Sequence, residues 1–125
     1  MTKGYTAIAT QSLVTAQRLG VASELREEMS ELIPTHLAAM EKGVPSMVPK
    51  AYRWVREMEE IAGTMSEEGG WGRDMFEGAA GVYREVAADA VLGKEKGGKR
   101  QRGTDVEDVA RCMAEGMERK RKKME

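Results

Sequence analysis

The chain has 125 residues, 20 basic and 21 acidic side chains, ten methionines and one cysteine. That length fits a single domain, and the lone Cys112 excludes an intrachain disulfide. His36 is the only histidine, which excludes a histidine-rich metal site or a triad built on several histidines.

The net charge of −1 hides an asymmetry. Residues 1–93 carry 9 basic and 14 acidic side chains, and residues 94–125 carry 11 and 7. The change falls at Gly93-Lys94-Glu95-Lys96-Gly97-Gly98-Lys99-Arg100-Gln101-Arg102-Gly103, which has the composition of a flexible linker. Scarce aromatics, many Met and Ala, and no alternating apolar run predict an all-α fold: a single bundle of about five helices, then a short C-terminal helix after the linker.

In chain order, the first helix is expected over residues 3–19, with Tyr5, Ile8, Ala9, Ser12, Leu13, Ala16 and Leu19 as its stripe and Gly20 ending it. It carries no charge between Lys3 and Arg18. A surface helix normally shows a charged face, so this one should be surrounded on most sides, by its own domain or by a companion. The second helix is expected over 23–33 with Ser23 as cap, and the third from Pro34 to about 42, ended by Gly43. After a turn at 43–46, residues 49–67 form the most strongly patterned helix. Ala51, Trp54, Val55, Met58, Ile61, Ala62 and Met65 share one face, opposite Arg53, Arg56, Glu57, Glu59 and Glu60. Gly69-Gly70-Trp71-Gly72 reads as a plain interhelical loop. A fifth helix is expected over 73–92. Its Gly78-Ala79-Ala80-Gly81 patch would allow another helix close approach. Thr104-Asp105-Val106-Glu107 has capping-box spacing and opens a last amphipathic helix with Cys112 on its apolar side.

Motifs for chemistry are sparse. No P-loop and no G-x-G-x-x-G after a strand is present. Arg53 with Glu57 and Arg56 with Glu60 stand four apart. They read either as ion pairs solvating a helix face or as guanidinium groups for an anionic substrate. The Arg119–Lys123 run reads as cations complementing a helix C-terminus. It lacks the interleaved aromatics that stack bases, so nucleic acid is not expected as a partner. No h-region of a signal peptide and no membrane-length apolar run is visible, which predicts a cytoplasmic protein without membrane contact.

Four stretches carry a family resemblance over residues 1–92: Thr2-Lys3-Gly4; Ala16-x-x-Leu19-Gly20-Val21; Pro49-Lys50-Ala51-Tyr52-Arg53-Trp54-Val55 with Glu57-Met58-Glu59-Glu60-Ile61-Ala62; and Phe76-Glu77-Gly78-Ala79-Ala80 with Val82-Tyr83-Arg84. Together they resemble the C-terminal helical domain of NAD-binding 6-phosphogluconate dehydrogenase-like proteins, in the β-hydroxyacid dehydrogenase superfamily. The resemblance implies an oxidoreductase whose N-terminal Rossmann domain binds NAD or NADP. Its helical domain closes over the substrate and supplies dimer contact. The family's acid/base lysine would precede Thr2-Lys3-Gly4 by about two helical turns, a position this chain does not include. The resemblance therefore implies no catalytic, cofactor-binding or metal residue here, and a chain that lacks the Rossmann domain and is not catalytic alone. It does imply substrate-side positions: Lys3 toward the anionic end of the substrate, and Arg56 and Glu57 in an element that abuts the active site. Partners would be a Rossmann-domain companion or a second copy. The competing expectation is a stand-alone helical interaction or dimerisation module.

Overall fold

The computed structural model describes residues 1–95 and 98–125. Its regular elements are all helical: α1 (Thr2–Leu19), α2 (Ala22–Leu32), α3 (Pro34–Met47), α4 (Ala51–Glu67), α5 (Asp74–Ala88) and α6 (Val106–Met124). Short 3-10 turns at Val48–Lys50 and Leu92–Lys94 complete the order.

Helix α1 is the axis of the bundle and touches α2, α3, α5 and α6. Thr6, Ala7, Ala9, Thr10, Leu13, Val14 and Ala16 are buried. These positions span about half of the helix circumference at 100° per residue. The two buried threonines satisfy their hydroxyls within the helix, Thr6 Oγ1 donating to the Thr2 carbonyl and Thr10 Oγ1 to that of Thr6 (2.7 Å). Three members of the anticipated stripe, Ile8, Ser12 and Leu19, are exposed instead. The periodicity is real, but without charges to mark the wet side a stripe cannot show which face turns inward. Gly20, at φ 78°, ends the helix as expected.

Other boundaries moved for local reasons. Val21, not Ser23, precedes the first residue of α2, and no side chain caps that helix. Helix α3 runs through the anticipated turn at 43–46, with Pro45 inside it. Gly43 does not stop it because it serves packing: a Cβ there would lie 3.3 Å from Thr6 Oγ1, so the missing side chain lets α3 approach α1 closely. Helix α4 begins at Ala51, behind the 3-10 turn that holds Pro49. Ala51, Met58 and Ala62 form its buried line, while Met65 is exposed. Helix α5 ends at Ala88, because the Asp89 carboxylate accepts from the backbone N–H groups of Val91 (3.1 Å) and Leu92 (2.9 Å) and redirects the chain. Within the small-residue patch, Ala79 and Ala80 are buried, but Gly78 and Gly81 look into open space.

The last helix is a core element. Val106, Val109, Ala110, Cys112 and Met113 are buried against the body. Asp105, rather than Thr104, caps it, its carboxylate accepting from the Asp108 N–H at 2.8 Å. The described residues of the preceding segment are anchored at both ends. Leu92 is fully buried, and the Glu95 carboxylate accepts from the N–H groups of Gln101 and Arg102. Lys96 and Gly97 of the anticipated linker lie outside the described residues.

Candidate functional site at the start of the first helix

The first turn of α1 meets α4 and α5, and that junction gathers most of the unusual side-chain contacts. The Lys3 ammonium lies 2.5 Å from Glu57 Oε2 on α4 and 4.7 Å from the centre of the Trp54 ring, one helical turn before Glu57. Trp54 in turn meets Tyr83 of α5 edge to face, with ring centroids 5.3 Å apart and planes at 86°. The Tyr83 hydroxyl closes the circuit by donating to the Lys3 backbone carbonyl. Four residues from three helices thus fix one ammonium group in direction and depth.

The electrostatics follow from depth. Tyr83 is fully buried, and burial pushes its hydroxyl well above the usual tyrosine range, so it stays a neutral donor. The Lys3 and Glu57 side chains are only partly covered, at 36% and 43% exposure. Water therefore screens their pair, whose contribution to stability is small. The aromatic face adds a cation–π attraction of about 0.5–1 kcal/mol at such a depth. The result is an ordered cation that a solute can still reach.

Of the three sequence-predicted positions, the fold brings Lys3 and Glu57 into contact and leaves Arg56 aside. Arg56 is 86% exposed and pairs along its own helix with Glu60, Nε to Oε1 3.2 Å, as the i,i+4 spacing predicted. The other anticipated i,i+4 pair, Arg53 with Glu57, does not form, because Glu57 is engaged by Lys3 across 54 positions of chain. In the sequence, Trp54 and Tyr83 stand in stretches that carry the resemblance, without any sign that they meet. The signal that marks them as part of the junction is their pairing across α4 and α5, which one-dimensional spacing does not carry. His36 is exposed; its ring meets the Tyr5 ring edge to face with centroids 5.5 Å apart, and its backbone carbonyl accepts from the Tyr5 hydroxyl at 2.8 Å.

A second polar cluster sits at the start of α6. Arg102 grips Asp108 through two bonds of 3.0 Å, and the Gly103 N–H donates to the same carboxylate at 2.7 Å. The Arg102 bond, assisted by Gly103 and Arg111, holds the Asp108 carboxyl down at about 2. Cys112 lies one turn further on with its sulfur 3.0 Å from Arg102 Nη2, and burial raises its thiol above the usual range. This is a packed staple rather than a reactive centre. Among the described residues no group of three His, Cys, Asp or Glu side chains is placed to hold a metal ion. Among the described residues no helix is long and apolar enough to cross a membrane.

A family model described as a domain of unknown function, DUF1932, matches residues 16–86, more than half of the chain, and the chain belongs to that family. Trp54, Glu57 and Tyr83 fall within the matched stretch, while Lys3 and α6 fall outside it. No curated protein matches the chain. No solved structure matches it either.

Proposed function

We propose that this chain serves as the substrate-side and dimerisation domain of an NAD(P)-dependent, 6-phosphogluconate dehydrogenase-like oxidoreductase acting on a β-hydroxyacid. The observation that carries the reading is the Lys3 ammonium, held by Glu57 and the Trp54 face at a partly open helix junction. A carboxylate or phosphate arriving there meets a cation whose position is already set, so little ordering entropy remains to be lost. The incoming anion would exchange with Glu57, a neighbour that keeps the site neutral when empty. The all-helical fold and the family membership are consistent with this role.

In this reading the dinucleotide belongs to a companion domain of Rossmann type. The described helices contain no strand followed by a glycine-rich phosphate loop. The share of the present residues is to bind and orient the acid group of the substrate. Calorimetric titration of the chain with NADH and NADPH should therefore give no saturable heat. Binding of either nucleotide to this chain alone would overturn the division of labour. With the companion domain supplied in fusion, Lys3→Met should raise KM for the hydroxyacid by roughly tenfold or more with kcat little changed, the loss of one charge-assisted contact. A KM that does not move removes Lys3 from the substrate side. The second reading, a stand-alone dimerisation module, is favoured by the uncharged outer face of α1. It predicts self-association without any turnover in the fused protein.

A further inference from the structure

The exposed side of α1 is unlike any other helix surface in the molecule. Ile8, Gln11, Ser12, Thr15 and Leu19 lie within about 100° of one another on the helical wheel, and all are exposed, Ile8 at 61% and Leu19 at 72%. No charged side chain interrupts this face.

Its shape is a ridge between two grooves. Gln11, Thr15 and Leu19 line both: on one side a groove of about 740 Å³ walled by Gly78, Gly81 and Val82 of α5 and by Met117 of α6, on the other a groove of about 630 Å³ walled by Leu25 of α2. The open space above Gly78 and Gly81 deepens the larger groove.

Charge is distributed across the ridge rather than along it. On the α2 side, Glu24 and Glu28 rim the smaller groove, and the same helix exposes Glu27 and Glu31. Its one cation, Arg26, is engaged by Glu41 and Glu107. On the far side, α6 ends in Arg119, Lys120, Arg121, Lys122 and Lys123 with no acid among them, Lys120 being engaged by Glu85 of α5. Arg18 and Arg121 rim the larger groove there, sharing Glu118.

We infer that this face of α1 seats a second copy of the chain, with the two α1 helices parallel about a two-fold axis running along them. Such an axis exchanges left and right without exchanging the helix ends. Each ridge then enters the partner's larger groove, and each acidic α2 lies over the partner's basic α6 terminus. The alternative axis, across the helices, sets ridge on ridge and acid on acid. A two-fold contact must be self-complementary, and only the first arrangement makes both shape and charge so. This deepens the dimerisation part of the proposed function and rests on it; it is independent of the nucleotide and substrate parts.

Sedimentation velocity on the full chain should show a dimer at roughly 100 µM, a concentration that populates any dimer with a Kd in the micromolar range. Leu19→Arg should weaken the dimer at least tenfold while leaving the thermal midpoint of the monomer unchanged, since Leu19 is exposed. Thr15→Cys should join to itself across a short bis-maleimide linker, with buried Cys112 inert in the unmodified chain, because parallel ridges bring equal heights together. Glu24→Lys with Glu28→Lys should weaken association, and adding Arg121→Glu with Lys122→Glu should restore it. A dimer indifferent to Leu19→Arg keeps the dimerisation reading and overturns this face. A dimer that yields no Thr15→Cys self-linkage overturns the parallel arrangement. A chain that is monomeric throughout overturns both the face and the dimerisation part of the function.

Discussion

Asp108 shows how one side chain can set the acid stability of a small bundle. It accepts from Arg102 twice and from the Gly103 backbone, and its carboxyl is held at about 2 against an ordinary 3.8. The folded value lies below the unfolded one, so the stabilisation is complete above about pH 4 and is lost as pH falls through the folded value near 2. Denaturant titrations between pH 6 and pH 2.5 should show stability falling in that window. Asp108→Asn should cost about 1–3 kcal/mol at neutral pH and flatten the acid limb. An unchanged limb in the variant would place the acid sensitivity elsewhere. Cys112 offers a companion test at the same scale. The thiol is buried, and burial raises its pKa. A thiol reagent at pH 7.5 should therefore label the native chain only at the rate of unfolding, and the denatured chain within the mixing time.

At the scale of elements, two helical glycines that look alike in sequence should behave oppositely. Gly78 is exposed in the middle of α5 with nothing near its missing Cβ, whereas a Cβ on Gly116 of α6 would sit 2.5 Å from Asp89 Oδ1. That carboxylate turns the chain after α5. Gly78→Ala should stabilise by up to about 1 kcal/mol through helix propensity. Gly116→Ala should destabilise despite the same gain, because Asp89 must give up its bonds to Val91 and Leu92. Thermal unfolding followed by circular dichroism separates the two signs.

The same contrast explains what could be read from the chain. Helix existence and the α4 stripe were legible, because charges opposite Ala51, Met58 and Ala62 mark the wet side. The inward face of α1 was not, because its wet side is uncharged. Nor was the length of α3: Gly43 reads as a stop until its contact with Thr6 is known. Of the junction at Lys3, the resemblance pointed to Lys3 and Glu57 as substrate-side positions. Their meeting, and the parts of Trp54 and Tyr83, depend on three helices arriving together. The capping box suggested by Thr104 and Glu107 gave way to Asp105, whose carboxylate accepts from the Asp108 N–H.

For the whole molecule, the decisive relation is between the family-matched stretch and α6. Residues 16–86 belong to the family, yet the core they build is completed by α6, which lies beyond them. It packs against α1 and α3 and puts Val106, Val109, Ala110, Cys112 and Met113 into the same core cluster as Leu13 and Val14 of α1 and Met40 and Val44 of α3. Burying a Val or Met side chain contributes roughly 1.5–3 kcal/mol, so Val106, Val109 and Met113 alone supply an amount comparable with the roughly 5–15 kcal/mol net stability of a domain. The matching loss on the faces of α1 and α3 adds to it. Ion pairs such as Lys120 with Glu85 and Arg18 with Glu118 are exposed and contribute little beside this. A chain ending at residue 103 should therefore lose its cooperative thermal transition, keep much of its helical dichroism and bind a dye for exposed apolar surface, the behaviour of a collapsed state without fixed packing. Adding a peptide of residues 104–125 should restore the transition by binding the vacated faces, with a midpoint that rises with peptide concentration. A shortened chain that melts cooperatively near the full-length midpoint would mean that α1 to α5 form a sufficient core and that α6 is an appendage.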